Sequence, residues 1–401
     1  MNLKIILTIS IAAQLLACSS GFFGDGVNPP NKTSQELKNK SYDSSLSAAN
    51  SSENSSYIPS IGVGEFKEGE WHLTFKHLNL SDIGLEEEAM NFGLAKAFNS
   101  VSQVSEVVQI PALPGGLSYS VDPDKFGLTD AQKRAIESCS ELKTTKVDDI
   151  DFWEADSFMY CILEPRMYYN LIGITGIANR GNIELATERK FAAPRSQGNH
   201  SIIGVVDSTV ANGNNRLIER IERPDGGVYW GTGDYLNPAG LRTAMQSGVF
   251  PGQRRAVFPT LKAGEFMWDM PNGFIGFALS GFAGQARYEA RRDVATDQGR
   301  DDRYVIAGYG CMSCHATGYN AGEYASNVGR GTPTANYPSK SEFESLIAKD
   351  NARYKAAMMK LGYPESVVDG PEPVTAIVTN FEKAAGIRYR EAGGTGALFG
   401  R

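Results

Sequence analysis

Residues 5–13 are almost continuously apolar behind a short positive start that ends at Lys4. Such a run is too short to span a bilayer, which takes about 20 residues, and has the form of an export signal. Residues 31–56 are rich in Ser, Asn and Lys and poor in large apolar side chains, so they cannot bury a core. Apolar alternation begins with Trp71, Leu73 and Phe75, a short strand signal. Residues 85–101 carry a helical pattern opened by Glu86, Glu87 and Glu88, acidic groups suited to the positive end of a helix. After a Pro-Gly break over 111–116, Thr129 with Gln132 makes a capping box for a helix running to residue 142. The aromatic and apolar run 152–177 reads as helix.

Two hairpins are expected next. Asp225-Gly226-Gly227 separates 216–222 from 228–230, and Pro271-Asn272-Gly273 separates 266–270 from 274–279. The last hundred residues hold a helix over 341–361, with Phe343, Leu346, Ile347, Tyr354, Met358 and Leu361 at roughly helical spacing. A final helix covers 373–385. The expected fold class is α+β: a mixed N-terminal portion over 61–300, with hairpins and helices, packed on a mainly helical, cytochrome-c-like segment over 301–401.

Charge and cysteine content narrow the function. With 401 residues, 41% of them hydrophobic, the chain can bury a sizeable core, and a net charge of −7 without a basic patch speaks against nucleic-acid partners. The apolar start ends in Leu15-Leu16-Ala17-Cys18, which is similar to a bacterial lipobox. That resemblance implies a signal peptide over 1–17, lipidation of Cys18, a membrane anchor, and a flexible Ser/Asn-rich tether over 18–60. Ser19 in place of aspartate favours the outer membrane, facing the periplasm or the cell surface. Cys139 and Cys161, in an oxidising compartment, are expected to form a disulfide, with two buried thiols as the alternative.

The chemistry sits in Cys311-Met312-Ser313-Cys314-His315, a Cys-x-x-Cys-His haem-attachment motif. Two thiols three positions apart can add to the vinyl groups on one edge of a porphyrin, and the adjacent histidine offers its imidazole to iron. One covalent haem c is expected, on Cys311 and Cys314, with His315 as proximal ligand. A thioredoxin-like dithiol is the weaker reading because of the following His315 and the surrounding glycines, and a zinc site because no second close Cys/His pair supplies two more ligands. For the sixth iron position Met358 and His77 are the candidates, and an open iron site remains a third arrangement. Asn215, Arg216, Glu219 and Arg220, with Arg291, Arg292 and Arg303, form salt-bridged structural segments or else pair with haem propionates.

The chain resembles a family of large monohaem c-type bacterial proteins. The match rests on Phe75-Lys76-His77-Leu78-Asn79, Leu94-Ala95-Lys96-Ala97-Phe98-Asn99-Ser100, Asn214-Asn215-Arg216-Leu217-Ile218-Glu219-Arg220, the segment from Gly264-Glu265 to Gly276-Phe277, the haem motif, and Glu372-Pro373-Val374. It covers roughly residues 65–390. The resemblance favours His77 over Met358 as distal ligand and implies a haem-bearing end packed on the N-terminal portion. The expected function is electron transfer in the cell envelope with redox protein partners, more plausibly non-enzymatic. The alternatives are a small-ligand sensor or peroxidase-like enzyme with an open iron site, and a binding module that uses haem structurally.

Overall fold

The computed structural model describes residues 69–387, apart from 175–182, 197, 209–213, 236–238, 240–260, 282–283, 291, 298–299, 301, 321–336 and 364–370. The expected signal peptide, Cys18, the tether and Arg291 lie outside the described residues.

The alternation at Trp71 forms β1 (Trp71–Thr74), and a turn leads through α1 (Leu80–Ile83) to α2 (Glu87–Asn99). Helix α2 is buried on nearly every side, through Met90, Phe92, Leu94 and Phe98, as a core helix must be. β2 (Ser118–Val121) returns antiparallel to β1. α3 (Asp130–Glu137) opens on the capping box at Thr129, whose Oγ1 accepts from Gln132 N while Gln132 Oε1 accepts from Thr129 N. β3 (Thr144–Val147) and β4 (Ile150–Glu154) form a hairpin, and β4 runs parallel to β1. The resulting sheet has the order β2-β1-β4-β3.

The run 152–177, expected as one helix, is divided. Phe152 and Trp153 finish β4, as aromatic residues on a pleated, half-buried surface favour. Then come α4 (Ala155–Leu163) and α5 (Pro165–Leu171), separated where Pro165 withholds an N–H from the first helix and sets φ for the second. A disulfide between Cys139 and Cys161 ties α4 to the chain following α3, with an S–S distance of 2.07 Å.

After α6 (Ile183–Phe191) the chain builds an antiparallel meander: β5 (His200–Ser208), β6 (Asn214–Glu222), β7 (Val228–Tyr235), β8 (Leu261–Asp269), β9 (Ile275–Ser280) and β10 (Ala286–Arg287). Both expected hairpins are part of it. At the second, Gly273 takes φ +90°, and Met270 N donates to the Phe274 carbonyl at 2.8 Å. Strand alternation puts Arg216, Arg220, Trp230, Glu265 and Phe277 on one face of this sheet and Glu219, Tyr229, Phe266 and Trp268 on the other. Helix α6 covers the second face, where Phe191 stacks on Trp268 at 4.1 Å.

The chain ends in α7 (Tyr309–Cys314), α8 (Lys340–Lys360) and α9 (Pro373–Ala385). Helix α8 lies on the first face of the meander: Phe343 meets Trp230 at 5.6 Å, and Tyr354 meets Phe274 edge-on at 5.9 Å. Helix α9 packs on α2 and α4 with Val374, Ile377, Val378 and Phe381 buried. A buried ion pair, Lys96 Nζ to Glu372 Oε1 at 2.9 Å, joins α2 to the start of α9.

These contacts correct the expectation of a mainly helical, cytochrome-c-like segment over 301–401. The protein is a mixed α+β fold with a four-stranded and a six-stranded sheet. Helix α7 has six residues, and α8 and α9 bury their apolar stripes against sheet and helices formed earlier in the chain. One apolar cluster therefore extends from Trp71 to Phe381, in place of a helical core owned by the last hundred residues. Among the described residues no helix is long and apolar enough to cross a membrane.

Candidate functional site

Helix α7 begins after Gly308, whose φ of +86° and ψ of −106° suit glycine alone. A Cβ at this position would stand 3.1 Å from the ring of Tyr168 on α5, so the missing side chain also allows the close approach. The helix brings Cys311 and Cys314, three residues apart, to one face, Cys311 buried and Cys314 half-buried. His315 follows as the capping residue, its N–H donating to the Cys311 carbonyl at 3.0 Å.

A buried polar clamp fixes the start of this helix. Tyr309 OH donates to Glu382 of α9, Thr375 Oγ1 donates to the Tyr309 carbonyl at 2.8 Å, and Arg300 donates to Glu382 at 2.6 Å. Arg300 also pairs with Asp302 at 2.9 Å. Sequence reasoning missed Arg300 and Glu382; the only hint was a charged residue on the apolar face of the last helix.

His315 is 8% exposed. Its Nδ1 stands 3.0 Å from the Gly318 carbonyl, which can only accept, so Nδ1 donates there. Nε2 lies 3.5 Å from Glu265 Oε1 of β8, and the ring leans on Phe277 of β9 at 5.6 Å. Burial opposes the charge on Glu265, but the contact with His315 and the charges of His315 and Arg216 outweigh it, so its pKa falls below the ordinary value. Arg216 is held in turn by Asp234, at 2.8 and 3.1 Å, and stands 3.9 Å from Glu265. A line of groups, Asp234–Arg216–Glu265–His315, thus runs from β7 to the end of α7.

The Cys311 thiol is pushed well above its ordinary pKa, first by burial and then by the Glu265 carboxylate. Reactive cysteines sit in surroundings that do the opposite, which weakens the reading of this pair as a dithiol catalyst. Cys311 is a free thiol, whereas Cys314 is disulfide-bonded in this structure, so that bond would have to be reduced before both sulfurs could hold a haem; the imidazole that follows them has its Nδ1 anchored on a carbonyl. Glu265 is the first group that an occupant at Nε2 would meet.

The remaining expected residues are scattered. Arg220 is locked to Asp350 of α8 at 2.7 and 2.8 Å, Glu219 to Arg195 and His200, and the Asn215 side chain donates to the Tyr235 carbonyl at 3.5 Å. These are buried links within and around the meander. His200 opens β5. Arg292 lies over the Tyr304 ring at 4.3 Å, and Arg303 sits in a turn with φ +61°. Met358 is 3% exposed on the buried stripe of α8. His77 lies in the turn after β1, with Nε2 2.9 Å from Asp156 Oδ1.

No family model matches the chain, and neither a curated protein nor a solved structure is detectably similar to it.

Proposed function

We propose that the chain carries one covalent haem c on Cys311 and Cys314, with His315 as the proximal ligand, and transfers electrons in the cell envelope. The observation that carries this reading is the placement of His315: it follows the two cysteines at the end of α7, and its Nδ1 is committed to the Gly318 carbonyl. A metal-ligating histidine ordinarily commits its second ring nitrogen in this way. The sequence features complete the proposal: lipidation at Cys18, a tether over 18–60, an outer-membrane address and redox protein partners.

Bound haem supplies one-electron redox chemistry. The chain's own residues hold and surround it. Cys311 and Cys314 fix its position along α7, and the Arg300–Tyr309–Glu382 clamp keeps that helix on α9. Glu265, backed by Arg216 and Asp234, places negative charge next to the His315 ring. Such charge favours the oxidised state of a neighbouring redox centre, so Glu265→Gln is expected to raise the potential.

The test is the absorption and magnetic circular dichroism spectrum of the exported protein, beside His315→Ala. The wild type is expected to show low-spin c-type haem that the variant loses or converts to high spin. An unchanged low-spin spectrum in His315→Ala would refute the assignment. The near-infrared band also tells methionine from histidine at the sixth position.

A further inference from the structure

We propose that His77, Glu154 and Asp156 form a site for one divalent first-row metal cation, separate from the haem-attachment helix. The fold creates the juxtaposition. β1 and β4 run parallel, with Thr74 opposite Glu154, so the two chains leave the sheet side by side. His77 comes from the turn after β1, Glu154 is the last residue of β4, and Asp156 is the second residue of α4. One ligand atom from each residue lies within 4.8 Å of the other two. Nε2 of His77 is 2.9 Å from Asp156 Oδ1 and 3.8 Å from Glu154 Oε2. Donors bound at about 2.1 Å around a tetrahedral ion stand roughly 3.4 Å apart, so these spacings bracket what a cation requires.

Charge is the second argument. Two largely buried carboxylates, with side chains 18% and 6% exposed, converge on one imidazole. Among the described residues no lysine or arginine pairs with either carboxylate, and the neighbouring Lys76 Nζ is buried without a hydrogen bond. A simple His–Asp hydrogen bond accounts for Asp156 alone. Among the described residues it leaves the Glu154 carboxylate with no hydrogen-bond donor and His77 Nδ1 buried without a partner. The N-terminus of α4 contributes roughly half a positive charge, which stabilises Asp156 but does not match two full negative charges. A dication does. One imidazole and two carboxylates suit Zn2+ or Mn2+ better than a soft ion, and the residual exposure leaves an edge where water completes the shell. His77, engaged here, is then not the distal haem ligand.

Calorimetric titration of the full exported chain, stripped with chelator and titrated with ZnCl2, tests the site. One saturable site is expected, and Glu154→Gln and His77→Gln should each weaken it at least about tenfold, the smallest effect expected when even an outer-shell group is lost. Glu154→Gln keeps the shape of a partly exposed side chain, so a retained circular dichroism spectrum shows that lost binding is not lost fold. The haem spectrum of His77→Gln should match the wild type. The proposal is overturned if the wild type binds no Zn2+ saturably, if both variants bind it as tightly, or if His77→Gln shifts the haem bands.

Discussion

Asp350→Ala should be among the most damaging single substitutions outside the haem motif. Asp350 on α8 receives two hydrogen bonds from Arg220, at 2.8 and 2.7 Å, and one from Trp230 Nε1 at 3.0 Å. The Arg220 and Asp350 side chains are 2% and 1% exposed. Truncation leaves a buried guanidinium whose remaining partner is Glu222 at 3.4 Å, and an indole N–H with no acceptor. Removing one partner of a buried pair costs about 3–5 kcal/mol. The orphaned indole adds about 1 kcal/mol, although neighbouring losses do not sum fully. Glu222 retains part of the charge compensation, so a loss of about 3–4 kcal/mol is expected, a large share of the roughly 5–15 kcal/mol of a typical domain. Lys349→Ala is the control. Its contact with Glu222 is as short, 2.8 Å, but Lys349 is 56% exposed, and an exposed pair contributes under about 1 kcal/mol. Urea unfolding followed by circular dichroism measures both. If Asp350→Ala costs no more than Lys349→Ala, the docking of α8 on the meander does not depend on this pair.

Three further outcomes follow from the packing. Reducing the Cys139–Cys161 bond, which closes a loop of 22 residues, should cost about 3 kcal/mol in urea; an unchanged midpoint would contradict it. Burial, opposed by Tyr319, Arg353 and Val228, raises Asp269 to about 6 from its ordinary 3.8. A carboxylate raised in the folded state contributes stability below pH 3.8 that is lost as pH rises through about 6. The wild type should therefore lose about 3 kcal/mol relative to Asp269→Asn across that window, whereas parallel pH profiles would refute the shift. Gly308→Ala should cost about 2 kcal/mol, from the positive φ and the contact with Tyr168, and should lower haem occupancy by displacing α7; full stability and full occupancy together would refute this.

Local chemistry was legible in the sequence. The capping box at Thr129 and the turns at Gly226 and Gly273 each depend on a few neighbouring residues whose side chains or backbone freedom dictate the shape. The run 152–177 misled because aromatic and apolar residues suit a buried strand as well as a helix, and Pro165 was the signal that it had to break. The last helices misled for another reason. Their spacing was helical, but which surface received the apolar stripe was settled by Arg220 and Lys96, 130 and 276 residues from Asp350 and Glu372, respectively. Glu265 was within reach: a charged residue set between Ala263-Gly264 and Phe266-Met267-Trp268 calls for a buried partner. That its partner was His315 could not be read from spacing, nor could the meeting of His77 with Asp156, 79 residues apart.

The central claim is covalent haem on α7, and its most direct measurement is a pyridine haemochrome assay on exported wild type beside Cys311→Ala/Cys314→Ala. The account predicts one c-type haem per wild-type chain, retained through denaturation and acid–acetone extraction, and none in the double variant. A wild-type chain without covalent haem, or a double variant that keeps it, would contradict the account.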